Sequence, residues 1–438
     1  MTKCFLMPAK AIEQLYAGAF DLRMEQMYGV SGIALQPYRD RIASALVMFE
    51  KRFGNLPVRV FSVSGRTELG GNHTDHQNGR VLCGAISQDI IAVAAVTEDR
   101  IIRAHSEGFS EETVDLTDLS PRESESGRSA ALIRGTAERF SELGKPVGGF
   151  CAYIVSAVPK GSGLSSSAAF EVLLGTICNE FYADSTFSPV ELAQIAQYAE
   201  NRHFGKPCGL MDQMACALGG VTAIDFENPA APDFISVPLN PAEHGFALCI
   251  IDTGANHADL TEEYGAIPSE MKAVAGLLGG NTLRETNEAD FWAKLPVLRR
   301  QCGDRAVMRA IHFYNENARV LEQVKALAEN DFAAYLRLVQ ESGESSVFAL
   351  QNIYASGASE SQSVAVAIAV CQHLLNGEGA CRVHGGGFAG TVQAYVPLKR
   401  VDAFLQAVDS VFGTGAGRVL QIRTCGACAL WYEDELCF

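Results

Sequence analysis

The sequence predicts a mixed α+β protein of two or three domains. Three observations lead there. Runs of alternating or β-branched apolar residues at 58–63, 81–86, 90–96 and 150–158 read as strands. Apolar residues at helical spacing over 42–53, 129–143, 168–179, 189–203 and 332–342 read as amphipathic helices. The length, 438 residues, exceeds what one hydrophobic core organises. With 48% hydrophobic and 20% charged residues the composition is that of a folded globular chain.

The charge narrows the partners. A net charge of −16 argues against nucleic acid and anionic membrane, so a nucleotide would need a local positive site. No run reaches the roughly 20 apolar residues of a membrane helix. The opening MTKCFLMPAK has no long apolar core, so no secretion signal is expected. Thirteen cysteines without framework spacing suggest reduced, packed thiols in a cytoplasm. Cys425 and Cys428 form one C-x-x-C, which reads more readily as strand packing than as metal or redox chemistry.

In chain order, residues 1–57 read mostly as helix, stopped by Gly54 to Pro57. The strand 58–63 runs into a polar loop, 64–79, crowded with Arg66, His73, Asp75 and His76; either a site or a solvated turn fits. Residues 98–125 read as strands with an acidic surface loop, and Gly144-Lys145-Pro146 ends the helix 129–143. Pro159 ends the strand 150–158, because proline cannot donate to a sheet ladder.

Next comes PKGSGLSSSAAF, residues 159–170. Gly161 and Gly163 let the backbone turn its N–H groups inward, with Ser162 and Leu164 between and after them. Ser165, Ser166 and Ser167 stand at a helix start, whose free N–H groups and positive dipole end suit phosphate. A plain capping turn is the bland reading. The string is neither a Walker A loop nor G-x-G-x-x-G. The helix 189–203 has Ser188 as N-cap and holds Glu200. The segment Gly205 to Gln213 follows, with Gly209 and Asp212; Asp212 as a cap and Glu200 as an exposed charge are the bland readings. Residues 222–226 and 246–252 read as strands. Arg309, His312, Glu316 and Arg319 fall on one helix, and Gly385-Gly386-Gly387 precedes a β-rich stretch.

These stretches resemble the galactokinases within the GHMP small-molecule kinases. PKGSGLSSSAAF resembles their phosphate loop. Residues 65–79 resemble G-R-V-N-L-I-G-E-H-T-D-Y-N-G-G, with Gly65, Arg66, Leu69, Gly71, His73, Thr74, Asp75 and Gly79 matching. Residues 205–213 resemble G-x-P-C-G-I-M-D-Q, and 383–392 the G-G-G-F-G-G motif. The chain departs from the pattern at Glu68, where the family has Asn, and at Asn72, where it has Glu. The Arg-Arg and Cys that follow Glu263-Tyr264 in the family are absent.

The resemblance implies the two-domain GHMP fold: an N-terminal mixed-sheet α/β domain over 1–225, a C-terminal domain of antiparallel sheet and helices over 226–438, and a site in the cleft. It implies transfer of the γ-phosphoryl of ATP to the anomeric hydroxyl of a hexose, galactose first. It places Gly161 to Ser167 on the nucleotide, and Ser166, Ser167 and Glu200 on Mg²⁺. Arg66 stabilises the transferring group, Asp212 orients or deprotonates the sugar hydroxyl, and Asn72, His73, Asp75, Gly209 and Tyr264 contact the sugar. With Asn72 in place of Glu, a broader preference reaching to substituted galactose is expected. A kinase for an amino sugar or uronic acid, a sugar sensor without turnover and a structural partner protein are the alternatives. A monomer or weak homodimer is expected.

Overall fold

A computed structural model describes residues 4–159, 163–206, 208–255, 260–357, 359–388 and 390–431. The chain opens with α1 (Pro8–Tyr16), α2 (Asp21–Tyr28) and α3 (Gln36–Phe53). Then come β1 (Arg59–Gly70), β2 (Arg80–Val96), β3 (Ile101–Ser106), β4 (Glu112–Asp115), α4 (Ser129–Glu142) and β5 (Phe150–Ser156). Three helices follow, α5 (Ser166–Tyr182), α6 (Pro189–Ala199) and α7 (Met211–Leu218), then β6 (Val221–Asp225) and β7 (Asp233–Ser236). The second half runs β8 (Phe246–Asp252), α8 (Thr261–Leu278), α9 (Glu288–Cys302), α10 (Asp304–Ala328), α11 (Phe332–Ser345) and α12 (Ser363–Leu375). It closes with β9 (Ala380–His384), β10 (Thr391–Pro397), α13 (Val401–Phe412), β11 (Gly417–Leu420) and β12 (Cys428–Ala429).

The strands form two sheets. In the first, the order β12-β1-β2-β5-β3-β4 is antiparallel except for the β3–β5 pair, and β6 and β7 extend it from β2. The second, β11-β8-β10-β9, is antiparallel throughout. Strands β7 and β12 lie beyond residue 226 in sequence and join the first sheet. A core of residues from β1, β2, β5 and α4 to α7 fills one face of that sheet; α1 to α3 cover the other with Leu15, Tyr28, Leu46 and Phe49. The capping box of Ser188 and Glu191 starts α6, as expected from Ser188.

Three boundaries differ from the sequence expectation, the first two for a packing reason. The run 58–63 does not stop at Ser64: β1 continues to Gly70, every residue of it buried. Its polar half is kept in the ladder by bulges between Ser64 and Arg66 and between Glu68 and Gly70. Bulges re-aim side chains, and here they set Arg66 in a strand instead of a loop. The two runs 81–86 and 90–96 are one strand, β2, because Asp89 is buried against Arg41, Tyr28 and Ser62. The helix 189–203 is α only to Ala199; residues 200–204 widen into a π-turn.

Candidate active site

The site gathers where β1, the start of α5, the start of α7 and the glycine turn after β9 meet. Arg66, 5% exposed, leaves β1 toward α7 and its Nε–H donates to Asp212 Oδ1 at 2.7 Å. Its Nη1 donates to the carbonyl of Gly163. Ser165 Oγ donates to the other carboxylate oxygen of Asp212, at 2.5 Å. Burial opposes the charge of both partners, but their attraction wins: the Asp212 carboxyl is held below its ordinary range and the Arg66 guanidinium above its own. The Asp212 side chain keeps 34% of its surface accessible, so it can still meet a ligand.

Gly163 explains why this loop needs glycine. Its φ is +66°, and a Cβ there would stand 2.9 Å from Thr391 Oγ1. Gly385 in turn lies against the Gly163 carbonyl, so the turn before α5 and the glycine turn pack on each other. Ser165 takes φ +58° just before α5, and Ser166 and Ser167 occupy its first turn. Gly161 and Ser162 lie outside the described residues.

The segment from Gly71 to Asn78 forms the neighbouring wall. His73 sits at φ +60°; its Nε2 meets the Gly386 carbonyl at 3.1 Å. Burial and the nearby His76 push its pKa down to about 3, so the ring is neutral and Nε2 bears the proton. Asp75 lies against Gly209, where a Cβ would come within 1.8 Å of its Oδ2. The hydroxyl of Tyr264 donates to the Gly387 carbonyl at 2.9 Å, and its ring occupies the space a side chain on Gly386 would need. His73, Asp75, Gly209 and Tyr264 therefore line one region beside the Arg66–Asp212 pair.

Asn72 is different. It is fully buried, and its Nδ2 donates to Glu68 Oε1 at 2.9 Å and to the Gly385 carbonyl at 2.8 Å. Its Oδ1 accepts from Asn352 at 2.9 Å. Both donors are committed to protein groups, so a sugar contact through this side chain does not fit the arrangement. The expected broadening of preference through Asn72 loses its physical basis with it.

Glu200 opens the π-turn, 3% exposed, and accepts from Gln213 Nε2 at 3.0 Å. The same Nε2 reaches Glu171 at 3.2 Å. Glu171 lies one helical turn after Ser167 on the same face of α5. Burial and the Glu200 charge raise its pKa well above the carboxylate range. Glu171 Oε1 and Gln213 Oε1 are buried without a hydrogen-bond partner. Two buried carboxylates and orphaned acceptors beside a serine-rich helix start make a donor set that suits a hard cation such as Mg²⁺.

The comparisons with known proteins agree with this geometry. Residues 131–220 match the GHMP kinases N terminal domain, and residues 48–96 match the galactokinase galactose-binding signature. A galactokinase of Streptomyces coelicolor is 32% identical over 383 residues, which is 85% of this chain and 94% of the relative. The chain belongs to the galactokinase family of GHMP kinases. A galactokinase of Chloroflexus aggregans is 30% identical over 90% of this chain and 99% of its own length. A Lactococcus lactis galactokinase, solved in complex with galactose, superposes with a TM-score of 0.76 at 24% identity, covering 88% of this chain and 99% of that one. A mevalonate kinase from Methanococcus jannaschii shares the fold at a TM-score of 0.58.

Within this galactokinase-family site, sequence reading missed the buried supports. Glu68 pairs with Arg382, and His384 joins the two halves: its Nε2 accepts from the Glu68 N–H at 3.1 Å while Nδ1 meets Thr391 at 3.0 Å. Glu171 was legible only as a polar residue in an apolar helix, a spacing of four from Ser167 being the available signal. The shared helical motif Arg309, His312, Glu316 and Arg319 was legible as a pattern but not as what it does. His312 Nε2 donates to the Asn72 carbonyl at 2.9 Å, and Glu316 accepts from the Gly71 N–H at 3.1 Å, so α10 pins the Gly71–Asn72 segment.

Proposed function

We propose that this protein transfers the γ-phosphoryl group of ATP to the anomeric hydroxyl of galactose. The observation that supports it most is the Arg66–Asp212 pair, set between the Gly163–Ser167 loop and the His73–Asp75 segment. Phosphoryl transfer asks for positioning and charge stabilisation more than covalent chemistry. Asp212 Oδ2, which here accepts from Ser165, is the atom for the hydrogen bond of the attacking hydroxyl. A carboxyl held below its ordinary range orients that proton and accepts it only late, which fits a loose transition state. Arg66 faces the transferred group, and the first turn of α5 offers its N–H groups to the phosphates. Ser166, Ser167, Glu200 and Glu171 would hold Mg²⁺, which when bound neutralises phosphate charge.

His73, Asp75, Gly209 and Tyr264 are the proposed sugar contacts, with Gly161 and Ser162 completing the nucleotide loop. The working units are 1–225 and 226–438, with β7 and β12 crossing between them. Mg²⁺ dependence, a monomer or weak homodimer, a cytoplasmic setting and the lack of nucleic-acid or membrane partners belong to the same proposal. Among the described residues no helix is long and apolar enough to cross a membrane.

The test is ATP consumption over a panel of hexoses, with the product position read by phosphorus NMR. Galactose 1-phosphate is expected. Asp212→Asn should lower turnover at least about 100-fold while equilibrium nucleotide binding persists. Near-normal turnover in that variant would remove Asp212 from the mechanism.

A further inference from the structure

We propose that Cys425 and Cys428 form a reversible dithiol–disulfide site whose closure acts on α7, the helix that holds Asp212. Both are free thiols with two residues between them, in the segment that pairs with β1 of the first sheet. Cys428 is buried at 8% exposure, whereas Cys425 is half-buried. That is the arrangement of an attacking and a resolving thiol.

Arg423 wraps the loop between them. Its Nε donates to the Cys425 carbonyl at 2.9 Å, and its Nη2 to the Gly426 carbonyl at 2.9 Å and to Cys428 Sγ at 3.4 Å. The other face of the guanidinium meets Ser62 Oγ at 2.6 Å and Asp89 at 3.6 Å, with Tyr28 on Asp89 behind it. The neighbouring Cys428 and the Arg423 charge hold the Cys425 thiol below the ordinary thiol range, against its burial. Burial instead pushes up the thiols of Cys83, Cys208, Cys216 and Cys302.

The loop is locked onto the end of α7. Ala427 N–H donates to the Ala217 carbonyl at 3.1 Å, and Gly220 N–H to the Arg423 carbonyl at 2.8 Å. A Cβ on Gly426 would lie 2.1 Å from the Ala217 oxygen, so nothing separates the two backbones. Cys428 also pairs with Ser62 of β1, the strand that holds Arg66. A change in the 425–428 turn thus reaches both elements of the Arg66–Asp212 pair.

With hydrogen peroxide as oxidant the chemistry balances. The Cys425 thiolate attacks one peroxide oxygen, the O–O bond breaks, and the departing hydroxide takes a proton to become water. Cys428 sulfur then attacks the sulfenic sulfur, the S–O bond breaks, and a second water leaves with the Cys428 proton. Two thiols are oxidised by two electrons and one peroxide is reduced; a small dithiol reverses the change.

The experiment uses the full chain, reduced and then treated with peroxide. Intact mass should fall by two hydrogens, and peptide mapping should find the Cys425–Cys428 bond. Cys428→Ser should stop at a sulfenic acid on Cys425, trapped by dimedone, and Cys425→Ser should give neither product. In reduced protein at neutral pH, Cys425 should alkylate at least about fivefold faster than the half-buried Cys302. Hydrogen exchange over residues 211–218 should slow at least about threefold in the disulfide form and recover with dithiothreitol. A bond to a different cysteine, no bond, or equal alkylation rates would overturn the dithiol site. A bond that leaves exchange in α7 unchanged would overturn the coupling. Neither readout depends on the proposed kinase reaction, so failure of that reading would show separately, as absence of turnover in the reduced protein.

Discussion

At the scale of single residues, Glu68 and Asn72 behave as one unit. Asn72 Nδ2 lies 2.9 and 3.2 Å from the two Glu68 oxygens, and Glu68 also pairs with the fully buried Arg382. The family pattern has Asn and Glu at these two positions in the opposite order, so the chain keeps the same pair of side chains with their places exchanged. Asn72→Glu alone sets two carboxylates face to face and removes the donor to the Gly385 carbonyl. Breaking a buried charged arrangement of this kind costs about 3–5 kcal/mol. Glu68→Asn alone strands Arg382 without its carboxylate, at a similar cost. The double variant Glu68→Asn/Asn72→Glu restores one acid and one amide in contact. Its loss, measured by urea unfolding, should fall short of the sum of the singles by at least about 1 kcal/mol. Additive losses would mean that the two side chains do not act together.

At the scale of elements, α10 shows what a sequence pattern can and cannot disclose. Its spacing of three, four and three from Arg309 to Arg319 puts four polar residues on one helical face, which is legible from the 3.6-residue period. That this face is buried against Gly71 and Asn72 is not, because the partners come from 240 or more residues away. The turn into α5, the Gly205–Gln213 segment and the glycine turn were legible because glycine, proline and serine constrain the backbone locally. The reach of β1 to Gly70 was hidden because its second half is polar, and only buried partners such as Arg382 and His384 make such a strand stable. Helices α8 and α9 carry Pro268 and Pro296 inside, which mask the helical signal. Glu316 gives the test of the helix's role. It accepts from Gly71 N–H and from Ser342 Oγ at 2.6 Å and pairs with Arg319. Glu316→Gln keeps an acceptor for Gly71 but removes the charge opposite Arg319. Stability should fall by about 1–3 kcal/mol, as a lower urea midpoint with an unchanged slope. An unchanged midpoint would relegate α10 to passive packing.

At the scale of the whole molecule, the joint between the halves is held by neutral histidines, two buried and one half-buried, and this sets how stability depends on pH. His73 meets Gly386, His312 meets Asn72 and Ser345, and His384 meets Glu68, Thr67 and Thr391. Burial is the first cause in each case, and all three pKa values are lowered from 6.5, that of His73 to about 3. The unfolded chain therefore binds protons below about pH 6.5 that the folded chain refuses, and stability falls as the pH drops through that window. Glu316 is buried, but the Arg319 and Arg382 guanidiniums and the Ser342 hydrogen bond keep it lowered from 4.5 to about 2, which adds to the loss below about pH 4.5. Glu68 acts the other way. Burial raises it from 4.5 to about 7, so the folded state holds its proton and gains stability on acidification across that range. Three histidines against two such carboxyls, Glu68 and Glu171, both raised by burial, leave a smaller net loss between pH 6.5 and 4.5, each uncompensated proton contributing a slope of about 1.4 kcal/mol per pH unit. Urea midpoints should accordingly fall steadily from pH 7 to 4.5. His73→Asn should make that fall shallower by about one proton's slope, since asparagine tolerates the left-handed φ of +60° found there but does not titrate. Glu68→Gln should make it steeper. A midpoint that rises on acidification, or a His73→Asn profile parallel to that of the wild type, would show that these histidines are not what couples the fold to pH.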